Sequence, residues 1–502
     1  MKFFIVPVFI LTFALVSCAS SVRYNQVELQ SARDSGDINA CLRMARNTKK
    51  TKTDVIMRNL DIALLEHFAG SYESSLKTLN KTDLLMHDAV TKSISQGIGA
   101  AVLNENVKEY PGTVYEYLYI NVFNALNYYD KGDLEEALVE VRKIGIKQKE
   151  YINEYGKAVL AELVPEDDRT IRDEDVAASF FGINMPVLKT KSPATATDKD
   201  IFRDSPTARY LSMVLRSMYN DSDNARVDRD VLAVLNPHID TSGDATVSSN
   251  KGRLNILAFS GIASSRYEQT LYFPGDVMSG VLAVGNGVWG YGPGALLSFP
   301  ETNGVNIPAF RIKFAYPAFD RRRDASRIAS VRVVFNSPVT QSSVSDSEMS
   351  AGVTNLSLLE DFNDVIEKDV RTKAGTAFSR SVARSLVKKM SAVTAGTASL
   401  TAAHEAMIRN KNDLLGEMAY QLTYLSVSAA IEAVDFAETA DVRQCHFLPA
   451  QAYAAGVTLE PGVYSFTVEY LDASSRVLSQ QYFSKITVPA GNPVLVESSC
   501  IK

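Results

Sequence analysis

The sequence is poor in cysteine, histidine and tryptophan. Four cysteines in 502 residues are not a disulfide scaffold. The five histidines (His67, His87, His238, His404 and His446) occur singly, and no CxxC accompanies them, so no metal-ligand spacing is present. There is no G-x-S-x-G, H-E-x-x-H or Walker loop. A basic excess is also lacking: 52 Lys and Arg face 58 Asp and Glu, a formal charge of -6, which gives nucleic acid nothing to bind. With 27 Gly and 17 Pro, collagen-like and low-complexity classes are excluded. What remains is an ordinary globular composition, 46% apolar and 22% charged, with room for two or three domains of ~150 residues each.

The one long apolar run is at the N-terminus. Lys2 precedes about a dozen apolar residues, the layout of a secretory signal. The run is short for a bilayer span, which takes ~20 residues. Leu15-Val16-Ser17-Cys18 resembles the bacterial lipobox, so residues 1–17 are read as a lipoprotein signal peptide and Cys18 as the lipidated first residue of the mature chain. Removing them turns 502 residues at -6 into 485 at -7. Ala19, where enterobacterial inner-membrane lipoproteins carry Asp, favours the outer membrane and a periplasm-facing anchor. Of the other cysteines, Cys445 and Cys500 flank one short C-terminal region, where a disulfide and two free buried thiols are both open readings.

From Ser31 to about Lys149 the apolar periodicity is helical. Three stretches look alike, beginning at Gly36, Gly70 and Gly132, each followed by Asp or Ser and then by an apolar helix face. Glycine can end a helix in the left-handed region, and Asp or Ser can cap the next one. Glu136, three after Asp133, completes a capping box. The first two glycines are 34 residues apart, the length of a tetratricopeptide-type repeat, whereas the next interval is 62. In the best unit Tyr117, Asn121, Asn124 and Tyr128 share one helix face. Asn and Tyr so placed can hold a peptide backbone in a groove; packing between neighbouring helices is the competing reading.

Residues 150–240 carry an acidic stretch at Glu166-Asp167-Asp168 and Asp173-Glu174-Asp175, read as a solvated loop because calcium-loop spacing is missing. Ser205-Pro206 starts a further helix through Met218, and Asn220-Asp221 turns the chain into another ending near Leu235. After a polar linker the pattern switches to strands over 253–259, 279–284, 310–315 and 328–335. Gly285 to Gly294 formally matches G-x-G-x-x-G, but Gly292-Pro293-Gly294 blocks the helix that dinucleotide binding requires. The stretch is read instead as a glycine loop displaying Trp289 and Tyr291, a candidate partner contact or a plug over the sheet. Two helices are predicted over 361–390 and 398–437, the second rich in small residues and broken near Gly416. A strand at 442–448 and a hairpin of 463–470 with 481–488 follow.

Several short motifs, spread over most of the mature chain, resemble a poorly characterised family of bacterial envelope lipoproteins. They are Ala125-Leu126-Asn127-Tyr128-Tyr129 followed by Gly132-Asp133-Leu134-Glu135-Glu136-Ala137-Leu138, Pro206 with Tyr210, Phe314-Ala315-Tyr316-Pro317, Ala440-Asp441-Val442-Arg443, Leu448-Pro449-Ala450, and Leu459-Glu460-Pro461-Gly462. The chain departs from the pattern at Val442, usually Thr, at Gln444, usually aromatic, and at Tyr316, usually Leu. The resemblance implies architecture and envelope location; no catalytic residues come with it.

The expectation is therefore an α+β chain: a tetratricopeptide-like α-helical repeat domain followed by a small β-sheet module with an inserted helical hairpin. Its parts are the signal (1–17), helical repeats (18–165), a helical extension and linker (166–240), a β-rich module (251–340), inserted long helices (355–440) and a C-terminal β unit completing the module (441–502). The leading functional expectation is a non-enzymatic, outer-membrane-anchored scaffold. It would hold another envelope protein or peptide segment, with no cofactor, no metal and no nucleic acid. A ligand-binding lipoprotein holding a small molecule or glycan between the modules is the second reading, and an envelope-polymer hydrolase the third.

Overall fold

The computed structural model describes residues 26–49, 51–95, 108–149, 204–274, 281–284, 287–290, 310–335, 352–409 and 414–502, with Tyr24, Phe202, Val305 and Pro308. The signal segment, Cys18, the acidic stretch after residue 165 and Tyr291 lie outside them.

The described residues before the first strand form four antiparallel helix pairs: α1 (Gln26–Ser35) with α2 (Ile38–Asn47), α3 (Val55–Phe68) with α4 (Tyr72–Ser95), α5 (Val114–Asp130) with α6 (Leu134–Lys147), and α7 (Pro206–Met218) with α8 (Ser222–Leu235). Each pair turns on one left-handed residue, Gly36, Gly70, Gly132 and Asn220, at φ of 71°, 73°, 83° and 61°. In the last three the same bond closes the turn. Ser71 N–H reaches Glu66 O at 2.8 Å, Asp133 N–H reaches Tyr128 O at 2.9 Å and Asp221 N–H reaches Arg216 O at 2.9 Å. This is the helix-ending geometry that satisfies orphan carbonyls. Asp37, Asp133 and Ser205 cap the helices that follow them, and a full reciprocal capping box stands at Thr113 and Glu116.

The strands build two four-stranded sheets. The first has the order β12 (Pro493–Cys500), β1 (Gly252–Ile262), β9 (Pro449–Leu459), β8 (Ser357–Asp361). The second has the order β11 (Val477–Val488), β10 (Gly462–Leu471), β6 (Ser330–Phe335), β7 (Val353–Asn355). Within the first sheet β1 runs parallel to β12 and antiparallel to β9. The two sheets pack face to face through Leu254, Ile256, Val457 and Val496 against Val331, Val333, Phe466 and Val468. The opposite face of the first sheet, with Leu257, Phe259, Ala452, Ala454 and Leu495, belongs to the core of the helix pairs. Every residue of β1 is buried. Two two-stranded sheets stand apart in sheet order: β2 (Tyr267–Pro274) with β5 (Arg311–Ala318), and β3 (Val281–Val284) with β4 (Gly287–Gly290).

Between β8 and β9 the chain makes a long helical hairpin, α9 (Phe362–Arg409) and α10 (Leu414–Ala437). At 48 residues, α9 extends about 72 Å. It is continuous where the sequence pattern suggests a break after 390, and α10 runs unbroken through Gly416. Val393, Leu400, Val427, Ile431 and Val434 form the seam between the two helices. A Cβ on Gly396 would overlap Val427 Cγ1, so glycine sets how closely they approach. At the root, Arg384 pairs with Glu438 and Lys389 with Asp435, all four buried.

Three expectations need correction. Residues 442–448 are not a strand; the strand begins at Pro449. Strands β2, β7, β8, β9 and β12 have no counterpart in the sequence reading. Part of the glycine stretch is a hairpin, with Trp289 on β4 opposite Leu282 rather than in a loop.

The turn chemistry is testable because Gly70 and Gly132 have open space where a Cβ would go. Gly70→Ala and Gly132→Ala should each lose about 1–2 kcal/mol from left-handed strain alone. Gly145→Ala, inside α6 with equal room, should gain about 0.5–1 kcal/mol. Urea midpoints of the three variants measure both signs.

Candidate functional site

Helix α5 is buried along its length from Val114 to Asn127, so it has two working faces rather than one. One meets the first sheet. The Tyr119 hydroxyl donates to Glu360 Oε1 at 2.8 Å, and Phe123, one turn further along, packs on Phe259. The other face looks between α4 and α6, and it carries the quartet singled out from sequence. Asn121 Nδ2 donates to Glu140, and Asn124 Nδ2 reaches Asn80 at 2.9 Å and Glu140 at 3.3 Å. Lys147 lies 3.5 Å over the Tyr117 ring, donates to Tyr117 O at 3.0 Å and pairs with Asp83 across the cleft. Burial pulls the Lys147 amine down to about 8 against the pull of Asp83. Tyr117, Asn121 and Asn124 are buried, and Tyr128 is the half-exposed member. The quartet is thus engaged in helix-to-helix packing.

The face that a curved stack of helix pairs would offer to a partner is filled by the chain's own sheet. Polar joints fasten that contact at both edge strands. On β12, Tyr129 Oη donates to Leu495 O at 3.0 Å and accepts from Leu495 N–H at 3.1 Å, satisfying both backbone groups of one edge residue. On β8, Asn236 Nδ2 donates to the carbonyls of Leu358 and Leu359 at 2.8 and 2.9 Å. Glu360 on β8 also accepts from Ser205 Oγ at 2.6 Å and from Thr207 N–H at 3.1 Å, at the start of α7. In the middle of the sheet, the Tyr210 hydroxyl donates to Asn255 Oδ1 at 3.0 Å.

The segment before β9 acts as a strap over α3 and α5. Arg443 pairs with Asp441 at 2.7 Å and donates to the carbonyls of Thr53 and Lys108 at 3.2 and 2.9 Å. Cys445 N–H donates to Glu116 Oε1 at 2.6 Å, and His446 N–H to Asp61 Oδ1 at 2.6 Å. Asp61 Oδ2 accepts from Tyr24 Oη at 2.7 Å and lies 3.0 Å from His446 Nδ1. Without a ladder partner, the strap's backbone donors are satisfied by buried carboxylates. The motif residues Arg443 and Tyr210 are found at such joints, and Pro206 lies between Ser205 and Thr207, which bond Glu360.

Two histidines and a cysteine here have the residue types of acid-base or nucleophilic chemistry, and the histidines pair with Glu497 and Asp61. His67 is 2% exposed, with Nδ1 2.8 Å from Asn127 Oδ1 and Nε2 2.8 Å from Glu497 Oε1. The Cys445 thiol is buried, and burial with the nearby Asp61 and Glu116 carboxylates pushes its pKa well up, the opposite of an activated thiolate. Cys445 and Cys500 are free thiols in different cores on opposite faces of the first sheet, so no disulfide joins them. Among the described residues no group of three or more His, Cys, Asp and Glu is placed to hold a metal ion, and no helix is long and apolar enough to cross a membrane.

What the described surface does offer is apolar. The outward face of α10 exposes Leu414, Leu415, Met418, Leu422, Leu425 and Phe436, with Leu415 at 75% and Phe436 at 80% of full exposure. Single exposed apolar residues are ordinary, whereas here several lie along one helix. The sequence pattern contains this row, although its apolar character there reads only as tight helix pairing.

Burial alone would lower the His67 pKa; Glu497 and the hydrogen bonds to Glu497 and Asn127 outweigh it and raise it above the ordinary value. The imidazolium can donate from both nitrogens. Its stabilisation is complete below the unfolded value of ~6.5 and is lost as pH rises through the elevated folded value. Urea midpoints should therefore fall as pH rises above about 6.5, and His67→Gln should be less stable at pH 6 and lack this component of the slope. An undiminished slope in the variant would remove the assignment.

No family model, no curated protein and no solved structure matches this chain.

Proposed function

We propose that the protein is a non-enzymatic, lipid-anchored scaffold of the bacterial cell envelope, tethered through Cys18 to the outer membrane and facing the periplasm. It would hold another envelope protein through the helical hairpin α9–α10. In this reading the four helix pairs are tetratricopeptide-like, but their inner face is closed by the first sheet. They serve as a rigid base instead of as the peptide-binding groove of an open stack. The observation that carries the proposal is the exposed apolar row on α10, whose root is fixed to the body by buried ion pairs while its outward face is left uncovered among the described residues. The quartet on α5 contributes packing, and the histidines and carboxylates contribute joints.

Two measurements test it. Cys18→Ala should release the protein from the membrane fraction; retention of the variant there would remove the anchor. Cross-linking and pull-down from native membranes should lose partners in Leu415→Gln/Leu422→Gln. Asn121→Ala/Asn124→Ala, provided it folds, should retain them. The reverse pattern would return the partner surface to α5.

A further inference from the structure

Helix α10 carries two seams with alternating spacings of three and four residues. The inner one, Tyr420, Tyr424, Val427, Ile431 and Val434, faces α9. The outer one runs through Leu415, Met418, Leu422, Leu425, Ala429 and Phe436, with Glu432 filling the remaining heptad position. A sustained 3.5-residue apolar repeat is the pattern by which one helix packs on another. At 24 residues, the helix offers a strip about 36 Å long and roughly 10 Å wide.

Charge selects the occupant. A helix that lies on an anionic membrane surface carries Lys and Arg on its polar face. Helix α10 has neither: its charges are Glu417, Glu432 and Asp435, and Asp435 is taken by Lys389. Heterotypic pairing is usually coded by charges flanking the seam. Here the flanks are Ala419, Gln421, Ser426, Ser428 and Ala433. A homotypic seam sets flanks of the same chain together, where charge of one sign would repel and uncharged small residues do not.

We infer that the outer seam of α10 binds a second copy of itself, antiparallel, with Leu425 on the two-fold axis. In that register Leu422 meets Ala429 of the other copy, a large side chain against a small one. Leu414 and Leu415 meet Phe436 at both ends, and Glu432 lies beside flexible Met418 with its carboxylate free to reach water. A parallel register would instead set Glu432 against Glu432 and leave a gap between two alanines. Such an isologous contact closes as a dimer, with four helices side by side. This inference rests on the hairpin being the interaction surface and names one of its partners.

Cysteine cross-linking of the full chain in native membranes tests both the pairing and its direction, since Cys41, Cys445 and Cys500 are buried. Leu425→Cys should give an oxidant-induced dimer absent from the wild type. Leu415→Cys alone should not, whereas Leu415→Cys mixed with Phe436→Cys should. Leu422→Glu, at an exposed position that does not endanger folding, should abolish the dimer. No cross-link at Leu425→Cys, or a stronger one at Leu415→Cys alone, would overturn the inference. Loss of the dimer contact on adding vesicles of phosphatidylglycerol and phosphatidylethanolamine, with flotation of the unanchored Cys18→Ala chain, would overturn it in favour of a lipid surface. If the cross-link fails while partner capture still depends on Leu415 and Leu422, the homotypic inference fails alone and the scaffold reading stands.

Discussion

The first sheet is apolar on both faces, and the architecture follows from that. An antiparallel sheet can leave one face to water, but β1 is buried at every position and pairs on one side with the C-terminal strand in parallel. Leu254 and Ile256 point into the sandwich, while Leu257 and Phe259 point into the helix layer. Each such side chain is worth about 1.5–3 kcal/mol when buried. Without the helix pairs the first sheet would expose its second apolar face, and without the sheet the helix pairs would lose part of their core. The helix pairs therefore cannot be treated as an open repeat stack with a free inner face.

Hydrophobic contact between the layers is not directional, so the register depends on polar joints. Many lie where backbone groups would otherwise be unsatisfied: Tyr129 on edge strand β12, Asn236 on edge strand β8, and Glu116 and Asp61 under the strap. A buried carboxylate accepting backbone hydrogens is costly to desolvate and more costly to remove, because its donors are then orphaned. This explains why residue types usually associated with catalysis are concentrated between the layers. The local chemistry is that of a fastener: buried carboxylates accept the strap's backbone hydrogens, and burial pushes the nearby thiol's pKa well up.

The sequence discloses what depends on local physics. Gly36, Gly70 and Gly132 mark helix turns because only a left-handed residue fits there, and Asn220 fills the same role because Asn tolerates that region. The hairpin of β10 and β11 alternates visibly and pairs as expected. Strand β9 is illegible because its inner positions are Ala452, Ala454 and Gly456, residues of low strand propensity. Ala452 and Ala454 belong to the core shared with the helices, and a Cβ on Gly456 would overlap the buried Arg253–Asp244 pair. The working faces of α5 are illegible for a different reason. A helix buried all round has no periodic stripe, and only Asn80, Glu140 and Lys147 beside it show what Tyr117, Asn121, Asn124 and Tyr128 do.

The hairpin is the part of the described chain that the double-faced sheet does not explain. Among the described elements α10 packs chiefly on α9 and touches β5 near its root, so the row from Leu414 to Leu425 contributes nothing to the two main cores. Exposed leucines on a helix cost solubility, and a design aimed only at folding would have made them polar. The inner seam shows the contrast: Val427 meets Gly396 closely and the buried pairs Arg384–Glu438 and Lys389–Asp435 fix where the hairpin starts. One face of α10 is thus specified to hold α9, and the opposite face repeats the same spacing uncovered among the described residues. Two seams on one helix, only one of them packed among the described residues, distinguish α10 from every helix of the base.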